Sequence, residues 1–133
     1  MITKKDIIAI NKGILEEWLN EHPNEHEGIS ANEKELTKIL KLVKEQESPI
    51  AKAAYLMGGI SWAQPFGGGN KRTGFVCADT LLRMEGYKMV IDTEEDREYL
   101  KKLLWEIQES RHEMNSFTLA KLVLYVAKRI KKL

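Results

Sequence analysis

Apolar residues recur along this chain at helical spacing and almost nowhere alternate. Ile7, Ile8, Ile14, Leu15, Trp18 and Leu19 fall three, four and seven apart, which predicts an amphipathic helix capped by Thr3 and running to about Glu21. The polar stretch from Glu21 to Gly28, with Pro23 and Gly28, reads as an exposed loop. Ser30 followed by Glu33 resembles a capping box, and Leu36, Ile39, Leu40 and Val43 carry a second helix to about Gln46. Ser48-Pro49 is a helix start, an N-cap followed by proline in the first turn. From Ile50 to about Ala63 that third helix has small or apolar residues nearly all round, so it belongs at the centre of a bundle.

After it, Gln64-Pro65-Phe66-Gly67-Gly68-Gly69-Asn70 must break the helix, and Lys71 to about Glu85 is helical again until Gly86. Tyr87–Ile91 reads as a short extended link. Thr93, with Asp96 three residues on, caps a charged helix to about Glu109, with Tyr99, Leu100, Leu103, Leu104 and Ile107 inward. Ser116 caps a last helix that turns Phe117, Leu119, Ala120, Val123, Leu124, Ala127 and Ile130 inward. The expectation is an all-α single domain over 1–133, about six helices around the small-residue helix at 49–63.

Composition narrows the functional classes. With 43% hydrophobic and 31% charged residues the chain is ordinary globular material. A net charge of +1 gives no broad field for nucleic acid or anionic lipid, so any anion site is local. The lone cysteine, Cys77, sits on an apolar helix face and reads as buried and inert. It has no internal disulfide partner, and the N-terminus lacks the apolar run of a signal peptide, which together point to a soluble cytoplasmic protein. Trp62 and Trp105 read as core. The basic turn Lys128, Arg129, Lys131 and Lys132 complements a helix C-terminus. His22 and His26, four apart but split by Pro23, read as solvent-exposed loop residues rather than a metal clip.

One segment carries chemistry. Three consecutive glycines between helices are costly in backbone entropy, so something requires a bare backbone there. The next helix opens with unsatisfied N–H groups and the positive end of a dipole. Lys71 and Arg72 in its first turn oppose that dipole and would suit a polyphosphate better than they suit the helix. The plain alternative is a tight interhelical turn, which needs neither cation. A P-loop fails, because Asn70 separates Gly69 from Lys71 and a helix precedes the glycines.

Residues 64–74, Gln-Pro-Phe-Gly-Gly-Gly-Asn-Lys-Arg-Thr-Gly, resemble the signature of the Fic/Doc (Fido) family, His-x-Phe-x-Asp/Glu-Gly/Ala-Asn-Gly/Lys-Arg. The lysine after the asparagine is similar to the death-on-curing (Doc) toxin branch. The resemblance implies a helical Fido domain that binds ATP and transfers an adenylyl or phosphoryl group to a protein hydroxyl. It implies that Phe66 anchors the loop and that Gly67, Gly68 and Gly69 line an anion hole. Asn70 would hold a phosphate or order the loop, Lys71 would bind the nucleotide in its reversed orientation, and Arg72 would pair with phosphate oxygens. Segment 22–30 would be the flap that positions a target side chain.

Two positions depart from the pattern. Gln64 stands where the family has its catalytic histidine, and a carboxamide orients a hydroxyl without taking its proton. Gly68 stands where the family has the acidic Mg2+ ligand, and glycine supplies no carboxylate. The expectation is nucleotide binding with transfer impaired. Glu25, His26 and Asp79 are the alternative positions for a base. The competing expectation is a non-catalytic interaction protein that grips an antitoxin-like partner, with no role for nucleic acid or membrane.

Overall fold

The computed structural model describes residues 1–22 and 30–133. In chain order the elements are α1 (Lys4–Glu21), α2 (Glu33–Lys44), α3 (Pro49–Ala63), α4 (Asn70–Met84), β1 (Tyr87–Met89), α5 (Glu94–Gln108), α6 (Ser116–Arg129) and β2 (Ile130–Lys132). The domain is all-α apart from one small antiparallel ribbon, and α3 is its axis, packed against α2, α4, α5 and α6. Neighbours come close to α3 at its two glycines, where there is no side chain to keep them away. An added Cβ at Gly59 would lie 2.9 Å from Ile39 of α2, and one at Gly58 would lie 3.2 Å from Ile107 of α5 and 3.3 Å from Leu122 of α6. Gly74 of α4 does the same from the opposite side, where a Cβ would come 3.0 Å from the Met57 carbonyl oxygen. The backbones of α3 and α4 therefore meet closely, and the loop between them is held at a fixed angle.

The helix starts are set by side-chain caps. Thr3 and Asp6 form a reciprocal box, with Thr3 N–H donating to the Asp6 carboxylate (2.8 Å) and Asp6 N–H donating to Thr3 Oγ1 (3.2 Å). Those bonds hold the Asp6 carboxyl below its usual range. Ser48 caps α3 and Thr93 caps α5, as their spacing predicts. Two starts differ from the sequence reading. Asn32, not Ser30, caps α2, and Asn115, not Ser116, caps α6, each with its carboxamide oxygen on the N–H three residues on. Asparagine is as strong a cap as serine, so composition alone did not separate the neighbours.

The last helix also faces differently. Thr118, Leu119, Leu122, Tyr125 and Val126 are buried, while Phe117, Ala120, Leu124 and Ala127 are exposed, Phe117 to 80%. Tyr125 tolerates the interior because its hydroxyl donates to the Asp96 carbonyl (2.9 Å), and its ring carries the Arg129 guanidinium 3.8 Å from its centroid. Arg129 in turn pairs with Asp96 at 2.6 Å, joining the start of α5 to the end of α6. The expected extended link is real over Tyr87–Met89, but it has a partner: the chain end leaves the helix at Ile130 and pairs Met89 with Ile130 and Tyr87 with Lys132. Lys131 and Lys132 thus lie on a strand, not on a helix end. Trp62 is half-buried and donates its Nε1–H to the Ser110 carbonyl (3.0 Å), whereas Trp105 is 56% exposed and not core. Cys77 is buried, and burial, with a smaller effect from the Asp6 carboxylate, pushes its thiol up to about 12.

No helix among the described residues is long and apolar enough to cross a membrane. His22 is exposed and stacks on Trp18, with ring centroids 4.4 Å apart. Residues 23–29, which hold Glu25, His26 and most of the expected flap, lie outside the described residues.

Candidate functional site

The α3–α4 loop is built by hydrogen bonds that start inside the protein and end at its surface. Gln64 terminates α3 in a left-handed conformation, φ 50 and ψ 56, the kind of backbone that glycine adopts more readily. Its backbone N–H still donates to the Ile60 carbonyl (3.1 Å), while its side chain stands exposed and reaches only the Ser61 carbonyl, at 3.4 Å. Phe66 then turns inward and is buried, as an anchor would be. Asn70 closes the turn from below, with Oδ1 accepting from Phe66 N–H (3.1 Å) and Nδ2 donating to the Phe66 carbonyl (3.0 Å). Both ends of that buried carboxamide are thereby spent on ordering the loop.

Gly69 takes φ +69 just before α4, so the first turn of that helix opens without a side-chain cap. That first turn borders a cavity of about 330 Å³ lined by Gln64, the three glycines, Asn70, Lys71, Arg72 and Gln108. Every sequence-predicted site residue but Phe66 lines this cavity; Phe66 lies beneath it and lines a neighbouring hollow with Ser30, Ala31 and Asn32. That hollow is bounded by a short bridge in which Ala31 pairs with Phe66 and Asn32 N–H donates to the Pro65 carbonyl (2.6 Å). Lys71 donates its ammonium to Gln108 Oε1, and Arg72 reaches Glu17 of α1 at 3.5 Å with both side chains more than half exposed. An exposed pair of that length is worth little, so the guanidinium remains available to an anion.

Two residues that support the site were not singled out from sequence. Asn11 of α1 is 2% exposed and donates Nδ2 to the Gly68 carbonyl (3.0 Å) and lies 3.1 Å from Thr73 Oγ1. Its signal was present: an amide standing between Ile7 and Ile14 on the buried stripe of the first helix. Gln108 gave no signal, since only the folded chain brings the end of α5 to Lys71, 37 residues away. Asp79, one of the alternative bases, is not at the loop. It accepts from Arg83 Nε (2.7 Å) and from Met89 N–H (3.0 Å), and it does not line the cavity.

A model of the Fic/DOC family matches residues 2–82. The chain belongs to the Fic/DOC family. The match takes in α1 to α3, the whole loop and all but the end of α4, and stops before α5, so Gln108 lies beyond it. No curated protein and no solved structure matches the chain.

Against the chemistry expected of a Fic/DOC loop, the donor set is one-sided. Backbone N–H groups, an ammonium and a guanidinium suit phosphate oxygens, so the phosphates of ATP fit. Among the described residues no carboxylate lines the cavity and the Gly68 carbonyl already accepts from Asn11, so these residues do not fit a protein-held Mg2+.

Proposed function

We propose that this Fic/DOC protein is a Doc-like member that binds ATP by its phosphates at the α3–α4 loop, and that its transfer of a phosphoryl or adenylyl group to a protein hydroxyl is slow or absent. The observation that carries the reading is the start of α4. Gly69 supplies a left-handed, uncapped entry, and among the described residues the charged side chains that line the cavity are Lys71 and Arg72. Lys71 and Arg72 would neutralise the phosphates, while the first-turn N–H groups would orient them.

The chemical half of the family's task is where the site is deficient. Gln64 can accept a hydrogen bond from an incoming hydroxyl or donate one to it, but it cannot take the proton, a loss of about 10²–10⁴ in rate. The left-handed backbone at Gln64 holds that carboxamide at the rim of the cavity, where a target hydroxyl would enter. Isothermal titration of ATP, with Mg2+ and in EDTA, tests the reading. Heat that persists in EDTA and disappears in Lys71→Ala supports a phosphate cradle that works without its metal ligand, and transfer in Gln64→His/Gly68→Asp would restore the missing chemistry. A wild-type protein that transfers at ordinary kinase rates, about 1–100 s⁻¹, would refute it. Silence in both titrations favours the second reading, a non-catalytic protein that holds an antitoxin-like partner, for which Gln64 and Gly68 in place of the family's histidine and acidic residue are the supporting observation.

A further inference from the structure

The outer face of α6 is apolar and open. Among the described residues Phe117 is the most exposed large apolar side chain, at 80%, and Leu124, two turns on, stands at 58%. Ala120 and Ala127 are exposed beside them. The four fall three, four and three apart, a continuous ridge on a helix whose other side is buried against α3 and α5. That spacing is the one by which helices pack on each other, and the fold leaves it uncovered.

Size and charge decide what fits the ridge. Along it, large and small alternate: Phe117, Ala120, Leu124, Ala127. Laid end for end on a copy of itself, about a point level with Leu122, it sets Phe117 against the partner's Ala127 and Leu124 against the partner's Ala120. Each bulky side chain then meets an alanine, as interlocking layers require. Residues 114–133 carry four lysines, one arginine and no acidic residue, and Lys128 and Lys131 are exposed. The same register brings Lys128 level with the partner's Ser116 and Lys131 level with the partner's Glu113. Glu106 lies at that end too, its carboxylate 3.5 Å from Thr118 Oγ1. End-for-end pairing also opposes the two helix dipoles. One contact runs the other way: Lys121 comes nearly level with its own copy, a like-charge approach that weakens the pair slightly. A flat anionic membrane suits the ridge less well. The ridge is one helix wide, and the exposed Glu94, Glu95 and Glu98 flank Asp96, which is paired to the end of α6 through Arg129.

We propose that two copies of this chain associate through α6, antiparallel about a two-fold axis level with Leu122, with Phe117 and Leu124 of each seated on Ala127 and Ala120 of the other. The helix has 14 residues and is about 21 Å long, so one such pair falls below the roughly 1,200 Å² of a standard interface and the dimer is weak and reversible. The surface is independent of the phosphate cradle, since among the described residues none of α6 lines the loop cavity.

Sedimentation equilibrium of the full chain, from about 5 to about 500 µM, should show a monomer–dimer equilibrium with a Kd on the order of 10–100 µM. Leu124→Glu, at an exposed position, should leave a monomer that melts with the wild type. Ala120→Leu adds apolar surface, yet it should weaken the dimer about tenfold or more, because two leucines then collide. Ala120→Leu/Leu124→Ala exchanges the two sizes and should recover the dimer. Lys121→Gln should tighten it and Lys128→Glu should loosen it. A wild-type monomer at the highest concentration, tighter association of Ala120→Leu, failure of the double variant to recover, or species larger than a dimer would each overturn the proposal. So would capture of phosphatidylglycerol vesicles or of an acidic leucine-rich peptide by a chain that stays monomeric.

Discussion

The cavity at the loop and the cleft beside it, between α4, β1 and α5, share Lys71 and Arg72, yet they are made in opposite ways. Among the described residues the loop cavity comes from seven residues of the stretch 64–72, whose backbone is locked by buried amides, with Gln108 as a distant wall. The cleft comes from three separate elements and is held by apolar packing, with charge only at its edge. Backbone-built sites leave a motif in the sequence, because glycine and asparagine are needed at particular steps of the chain. Packing-built sites leave none, since leucine, methionine and phenylalanine at helical spacing are what any core contains.

The largest effect expected to separate the two is at Asn11. In Asn11→Leu the Gly68 carbonyl loses its donor and a bulky group presses on the loop, so stability should fall by about 2–4 kcal/mol. ATP binding should weaken with it, and parallel denaturant melts and titrations check it. An unchanged ATP affinity would mean that Asn11 does not order the loop. Next is Gly74→Ala, whose Cβ meets the Met57 carbonyl oxygen rather than a yielding side chain. It should cost about 1–3 kcal/mol, and because the start of α4 lines the loop cavity it should weaken ATP binding as well.

A smaller effect should appear on the cleft side alone. The Asp96 carboxyl is held below its usual range chiefly by the hydrogen bond from Arg129, against the opposing effect of burial. A carboxylate with a depressed folded-state pKa contributes stability fully above the unfolded value of about 3.9, and loses it as pH falls through the lower folded value. The melting-temperature gap between wild type and Asp96→Asn should therefore be constant near neutrality and close at acid pH, below about 4. A gap that widens in acid would remove the pair from the account. The smallest effect belongs to Ser61, whose buried hydroxyl has no hydrogen-bond partner. Ser61→Ala should be neutral or stabilise by up to about 1 kcal/mol, leaving ATP affinity unchanged.

How much was legible from residues alone follows the same division. The central helix could be placed from its small residues, and the loop from Gly67 to Arg72, because each reading rests on local backbone requirements. The face of α6 could not, since Tyr125 and Thr118 look like surface residues until Asp96 supplies the carbonyl that lets the tyrosine go inside. The ribbon of β1 and β2 was half visible: three residues are too few to show alternation, and pairing across 43 positions has no local sign. Gln108 was invisible for the same reason of distance. Asn11 was visible and passed over, as one polar residue on a stripe otherwise fit for the core.

Cys77 gives the molecule an internal stopwatch. The chain carries one thiol, and in the folded state it is both shielded and, with its pKa pushed up to about 12, almost never a thiolate at neutral pH. An alkylating reagent can therefore reach it only when α4 comes away from its neighbours, so the labelling rate counts openings of the bundle. That rate, followed by mass with and without ATP, would report whether the nucleotide tightens that helix, with no probe added to the protein.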